Sequence, residues 1–260
     1  MQTAYNISQA AALRGMLAYD TEFRHVESKI AKETIEVGLG VVKVVGDDDQ
    51  VRLPAANKGV LTFDADLVSL NVINLKVNGS AIAPVTFLTD HATTMGLVAT
   101  AIAAKTTYVS GASVTAARQI TVTGVDNVDV LLTDIVVTLG VSQANGSFVQ
   151  GTKDVLYGLS LLTQVLESGL PGQDVVPAYA AKDVANILRR GTLWVYSETA
   201  FNPDSDTLYL RFLANGAGKE PGQFLNSSDS GKALAVTGNF AVKSILSGAG
   251  IMQLEINRPV

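Results

Sequence analysis

The chain has 260 residues, 47% of them hydrophobic and only 17% charged, with a mean hydropathy of +0.27, a composition that buries a core and argues against disorder. It contains no cysteine, which removes disulfides, thiolate metal sites and a cysteine nucleophile together. Its 19 basic residues are scattered among 24 acidic ones, and the net charge of −5 lacks the basic footprint of a nucleic-acid-binding protein.

No run approaches the roughly 20 apolar residues of a membrane helix. The N-terminus lacks the basic and then apolar order of a secretion signal, so the chain is expected to stay where it is made. The length admits one large β domain or two units with separate cores.

In chain order, Ile35, Val37, Leu39 and Val41 alternate with other residues and predict a strand. Gly46-Asp47-Asp48-Asp49 then reads as a polar turn before a strand through Val51 and Leu53. Val72 to Val77, an Asn78-Gly79 turn and Ala81 to Phe87 form a hairpin signal. Met95, Val98, Ala99, Ile102 and Ala103 follow at helical spacing, with Thr89 or Asp90 available as N-cap. Further strands are predicted at 108–114, 119–123 and 135–139, giving a ββαββ-like unit whose one helix covers a small sheet. Residues 66–146 therefore read as an inserted α+β domain, and 140–152, with Asn145-Gly146-Ser147, as a polar connection leaving it. Leu208, Leu210 and Phe212, and later Met252, Leu254 and Ile256, alternate like strands with one buried face. The flanking segments 21–65 and 147–260 each lack a full set of strands and are expected to form one discontinuous β domain.

Chemistry finds little support. His25 lies in a charged, strand-like stretch and His91 at the start of the predicted helix, and neither has the further ligands that a zinc site needs. Asp47, Asp48 and Asp49 read as a solvated tip. Asn202, Asp204 and Asp206 have calcium-loop spacing, but Thr207 replaces the turn glycine and Leu213 the bidentate glutamate. Gly38-Leu39-Gly40 lacks a third glycine and reads as strand glycines at a bulge or close contact. Arg189-Arg190 is expected on the surface before a turn, and Trp194 in the core. No catalytic residue, cofactor or metal is assigned, and an enzyme is not expected.

Three stretches resemble the structural cement proteins of tailed bacteriophages, a family of capsid decoration proteins. The first is Arg14-Gly15-Met16-Leu17-Ala18 with Val37-Gly38-Leu39-Gly40-Val41-Val42 and Val51-Arg52-Leu53-Pro54-Ala55-Ala56. The second is Ile187 to Val195, and the third Leu208-Tyr209-Leu210-Arg211 with Pro221-Gly222-Gln223-Phe224 and the closing strand Ile251 to Asn257. The inserted unit, through Asn74 to Gly79 and Thr89 to Thr94, is similar to a module of larger phage virion proteins and departs from the compact family pattern.

The resemblance implies a mainly β fold: a β-barrel or tulip-like decoration domain interrupted by the ββαββ-like insertion. It implies a homotrimer on the outer surface of the capsid at threefold or quasi-threefold positions, made in the host bacterial cytoplasm. The expected partners are the major capsid protein and the chain itself, with no direct nucleic acid and no membrane. Residues 1–20 are expected to be a capsid-binding arm that adds a strand to a capsid edge, with Tyr5, Leu13, Arg14, Met16 and Leu17 as contact residues. The alternative is a tail, baseplate or head-fibre component whose inserted domain meets a host surface. A carbohydrate-binding module is disfavoured because aromatics make up only 6%.

Overall fold

The computed structural model describes residues 13–18, 24–126, 128–162, 177–238 and 240–257. Strands come first: β1 (His25–Ala31), β2 (Ile35–Glu36), β3 (Gly40–Val44), β4 (Asp47–Arg52) and β5 (Lys58–Phe63). Next are β6 (Val72–Val77), β7 (Ser80–Ala81), β8 (Val85–Thr86), the helix α1 (His91–Ala103), β9 (Val109–Ala116), β10 (Gln119–Gly124), β11 (Leu132–Thr138) and β12 (Gly146–Gly151). The chain then continues through β13 (Gly158–Ser160), β14 (Ala178–Tyr179), β15 (Val184–Ser197), β16 (Tyr209–Arg211), β17 (Phe224–Leu225), β18 (Ala233–Ala235), β19 (Phe240–Val242) and β20 (Gly250–Asn257).

Five of these strands close a barrel. β1 pairs with β4, β4 with β3, β3 with β13, β13 with β15, and β15 returns to β1, so that no edge is left in the ring. The parallel step is β1 with β4; the other four are antiparallel. β15 is long enough to serve two layers. Its first half completes the barrel, and its second half, past Gly191 at φ +133°, pairs with β20 from Arg190↔Asn257 to Ser197↔Gly250. β16 to β19 extend that second layer. Apolar residues follow the division: Ala31, Ile35, Val41, Val51 and Ile187 fill the barrel, while Leu193, Val195, Phe224, Met252, Leu254 and Ile256 fill the space beyond.

The predicted hairpin and helix are present in the insertion. Asp90 caps α1 by accepting the Thr93 N–H at 2.7 Å, and Met95, Val98, Ala99 and Ile102 are buried on one face. The single small sheet expected beneath the helix is instead two sheets. One runs in the order β12-β5-β10-β9, and in the other β6 pairs with β11, β7 and β8. β5 precedes residue 66 and most of β12 follows residue 146, yet both belong by hydrogen bonding to this unit, and Leu61 and Phe63 sit in its core. A strand also replaces the connection expected over 140–152. β12 carries little apolar alternation in Gly-Ser-Phe-Val-Gln-Gly; pairing with β5 defines it, and Gly59 leaves the space in which the Phe148 ring lies. We propose that the inserted unit spans about residues 57–153.

The two chain crossings between barrel and insertion are locked to each other. Asp154, just after β12, accepts Arg52 Nη2 at 2.6 Å, Asn57 Nδ2 at 2.9 Å and the Ala55 N–H at 2.9 Å. Arg52 Nη1 also donates to Leu53 O at 2.7 Å, and Asn57 Oδ1 accepts the Lys153 N–H at 3.0 Å. Arg52, Asn57 and Asp154 are all buried. Removing one partner leaves a buried charge uncompensated, so Asp154→Ala is expected to cost about 3–5 kcal/mol, read as a lower urea midpoint of unfolding.

Candidate functional site

Residues 13–18 form a strap along β15, on the edge that β20 does not use. Gly15 N–H donates to Trp194 O at 2.7 Å, Trp194 N–H to Met16 O at 2.8 Å, and Ala18 N–H to Thr192 O at 2.9 Å. Leu162 N–H donates to Gly15 O at 2.8 Å, and Leu17 bridges Leu193. Gly15 and Gly38, at φ +83° and +73°, let the strap and the β2–β3 turn touch; a Cβ on Gly38 would lie 2.4 Å from Arg14 Cγ.

The expected contact residues are therefore not gathered on one free arm. Arg14 Nη1 donates to Glu36 at 2.9 Å; burial pulls its pKa down while Glu36 opposes that shift. Met16 packs on the barrel core and Leu17 on the second core, so both are committed to the fold. Leu13 is 55% exposed, and Tyr5 lies outside the described residues. Gly38→Ala is expected to loosen the strap, since the left-handed conformation alone costs a residue with a side chain about 1–3 kcal/mol. Tryptic cleavage after Arg14 should then accelerate by about tenfold or more.

The inner face of the barrel is apolar in one part and charged in another. Glu27 and Lys29 share the face of β1 that carries Ala31, and Arg189 shares the face of β15 that carries Ala185 and Ile187. Glu27 accepts the Tyr157 hydroxyl, His25 Nε2 lies 3.1 Å from its carboxylate, and Arg189 Nη1 lies at 3.3 Å. The Arg189 guanidinium sits 3.9 Å from the centre of the Tyr157 ring. Burial pushes the Glu27 carboxyl up, but the hydrogen bonds from Tyr157 and His25 and the charges of Arg189 and Lys29 outweigh it and hold the pKa below the usual value. The opposite shift appears on Tyr157, raised by burial and by its bond to Glu27. Arg189, expected on the surface, is thus mostly buried, because β15 runs through Arg189-Arg190-Gly191 without turning. Trp194, expected in the core, is only half-buried: Leu193 and Val195 take the inner face of the strand.

Beside Tyr157 a cleft of about 620 Å³ opens where barrel meets insertion. The β3–β13 ladder stops at Val41↔Gly158, and beyond it the strands part around Val42, Leu156 and the exposed Val45 and Val155. The cations at the rim are already paired, Lys43 with Asp48 at 2.9 Å and Lys153 with Asp126 at 2.5 Å. The cleft offers shape and apolar contact. No cluster of three or more potential metal ligands occurs among the described residues.

Asp47, Asp48 and Asp49 lie at the start of β4, past the turn, and diverge: Asp47 accepts the Asp49 N–H, Asp48 faces Lys43 and Asp49 faces Lys29. In the 202–206 loop Asp206 accepts the Asn202 N–H at 2.9 Å and Asn202 Oδ1 the Asp204 N–H at 3.1 Å, which closes a turn. His91 ties the helix start to two loops, accepting the Leu67 N–H at 2.8 Å, with Nε2 2.6 Å from Ala117 O.

Arg211 breaks the expectation of a one-faced strand, being fully buried between Leu210 and Phe212. It donates to both Glu198 oxygens, at 2.5 and 2.6 Å, and to Asp229 at 2.7 Å. The bond from Arg211, with a second from Asn215, holds the Asp229 carboxyl below its ordinary value. A depressed folded-state pKa stabilises the fold above the unfolded-state value and loses that contribution as pH falls through the lower folded one. Stability should accordingly drop on acidification below about pH 4, and Asp229→Asn should flatten that limb of the urea midpoint against pH.

Three comparisons bear on what the chain is. No curated protein matches it. A chain in the solved capsid of Myoviridae Phage XM1 superposes over 100% of both chains with a TM-score of 0.44 at 11% identity. Residues 104–257 match the family described as structural cement protein (E217 gp24/Pam3 gp6). The match covers the second and third stretches of sequence resemblance but not the first, and its span runs from the end of α1 through β9 to β20. With more than half of its length matched, this chain belongs to the phage structural cement protein family.

Proposed function

We propose that the chain decorates the outer surface of a tailed-phage head, binding the major capsid protein at threefold or quasi-threefold positions as a homotrimer and stabilising the shell. The family match over residues 104–257 carries this reading. The net charge of −5 agrees with a place outside a DNA-filled shell, with no direct contact to nucleic acid or membrane. Each contact with the shell can be modest, since a trimer touching several capsomers binds multivalently.

In this reading, residues 1–12 and Leu13 reach the capsid, while Arg14, Met16 and Leu17 fix their point of attachment to the barrel. The cleft beside Tyr157 is a second apolar contact, and the inserted unit projects outward. Deleting residues 1–12 should abolish binding to heads that lack the protein, with the urea midpoint unchanged; full binding by the truncated chain refutes the arm. Quantitative mass spectrometry of purified virions should give a copy number equal to the major capsid protein or a simple threefold fraction of it. A few copies per virion would move the chain to a tail, baseplate or head fibre.

A further inference from the structure

The β3–β13 ladder ends before β3 does. The last contact is Tyr157 N–H to Val41 O at 2.7 Å, yet β3 runs on to Val44, and residues 153–156 line the other side of the cleft. Lys43 lies opposite Val51 of β4, and Val51 turns its backbone to β1, where its carbonyl accepts the Lys32 N–H at 2.9 Å. Lys43↔Val51 is therefore a pair without mutual hydrogen bonds. The N–H and C=O of Lys43 point away from β4 into the cleft, as those of Val41 point to β13. Among the described residues no backbone hydrogen bond joins Lys43 to Val155 or Leu156, although all three line the cleft.

Two chain segments held apart, with an open main-chain edge and about 620 Å³ between them, form a slot for one more strand. Its lining asks for an extended segment that offers N–H and C=O groups to Lys43 and apolar side chains to Val42, Leu156 and the exposed Val45 and Val155. The charges around it are already paired, Lys43 with Asp48, Lys153 with Asp126 and Asp154 with Arg52, so a charged occupant would find no partner. Resting on the decoration reading above, we propose that an extended, uncharged segment of the major capsid protein inserts between β3 and residues 153–156. A strand entering between two walls must have both edges free. Each of the twenty strands among the described residues is already paired on at least one edge, so none of them in a second copy fits. Insertion continues the pairing to the end of β3 and bonds the subunit to the shell through main-chain groups, beside the Arg52–Asp154 contact.

Hydrogen exchange on the full-length chain, free and bound to heads that otherwise lack it, tests the slot. The Lys43 and Val155 amides are expected to exchange at least about tenfold more slowly on heads. Unchanged exchange at both, with the chain bound, overturns the proposal. The chain has no cysteine, so Val155→Cys carries a single maleimide photocross-linker. Its product on heads should be a link to one short segment of the major capsid protein. A link to another copy of the chain, or to residues 1–12, overturns the proposal even where the amides are protected. Lys43→Pro removes the N–H that faces the slot and none that the barrel uses, and Val42 before it is already in a strand. Affinity of this variant for heads should fall at least about tenfold, with a cooperative urea transition retained; unchanged affinity of the folded variant refutes the insertion. Failure of the unmodified chain to bind heads at all refutes the decoration reading itself, which separates the two outcomes.

Discussion

The rest of the structure depends on the buried contact between Arg52 and Asp154. The chain leaves the five-stranded barrel after β4 and returns to it before β13, and the barrel closes only if those two crossings stay together. Asp154 meets that need by gathering Arg52 from the end of β4, the Ala55 amide and the Asn57 side chain from the outward crossing, while itself lying on the return. Buried ions are favourable only where hydrogen bonds replace lost water, and this carboxylate has three such donors. The lock also sets register: β4 must end, and β5 begin, where the carboxylate can reach both.

Charge is placed inside this protein in two further positions, each with partners. Glu27, Tyr157 and Arg189 occupy the inner side of the five-stranded barrel, and Arg211 with Glu198 and Asp229 anchors the strands of the second layer. The first network joins segments 130 and 162 residues apart and the second ties neighbouring strands and loops 13 and 18 residues apart, so they fix tertiary geometry where short strands alone would give little. A protein without disulfides has few other means of holding loops such as 226–232 against a sheet.

Membership of the structural cement family gives these features a context. A capsid-associated subunit benefits from a closed ring of strands, which has no free edge to slip, and from a strap at residues 13–18 hydrogen-bonded into the wall. Rigidity of this kind holds surfaces at fixed separations.

The sequence by itself determined the dominant β character, the helix with its cap narrowed to Thr89 or Asp90, the hairpin at Asn78-Gly79 and the paired glycines near residue 38. Each of these is written in local periodicity, a turn signal or a short motif, whose physics acts within a few residues. Tertiary structure alone decided that β5 and β12 share a sheet with β9 and β10, because β5 and β12 are assigned by pairing across more than 80 residues and β12 has almost no apolar alternation of its own. It also decided the burial of Arg211 and Arg189 and the half-exposure of Trp194: a strand pattern tells which residues share a face, but only the neighbouring layer settles whether that face meets water or another chain segment. The Arg52–Asp154 lock was invisible for the same reason. Two charges 102 residues apart carry no sequence signal of their pairing, and closure of the barrel brings them to 2.6 Å.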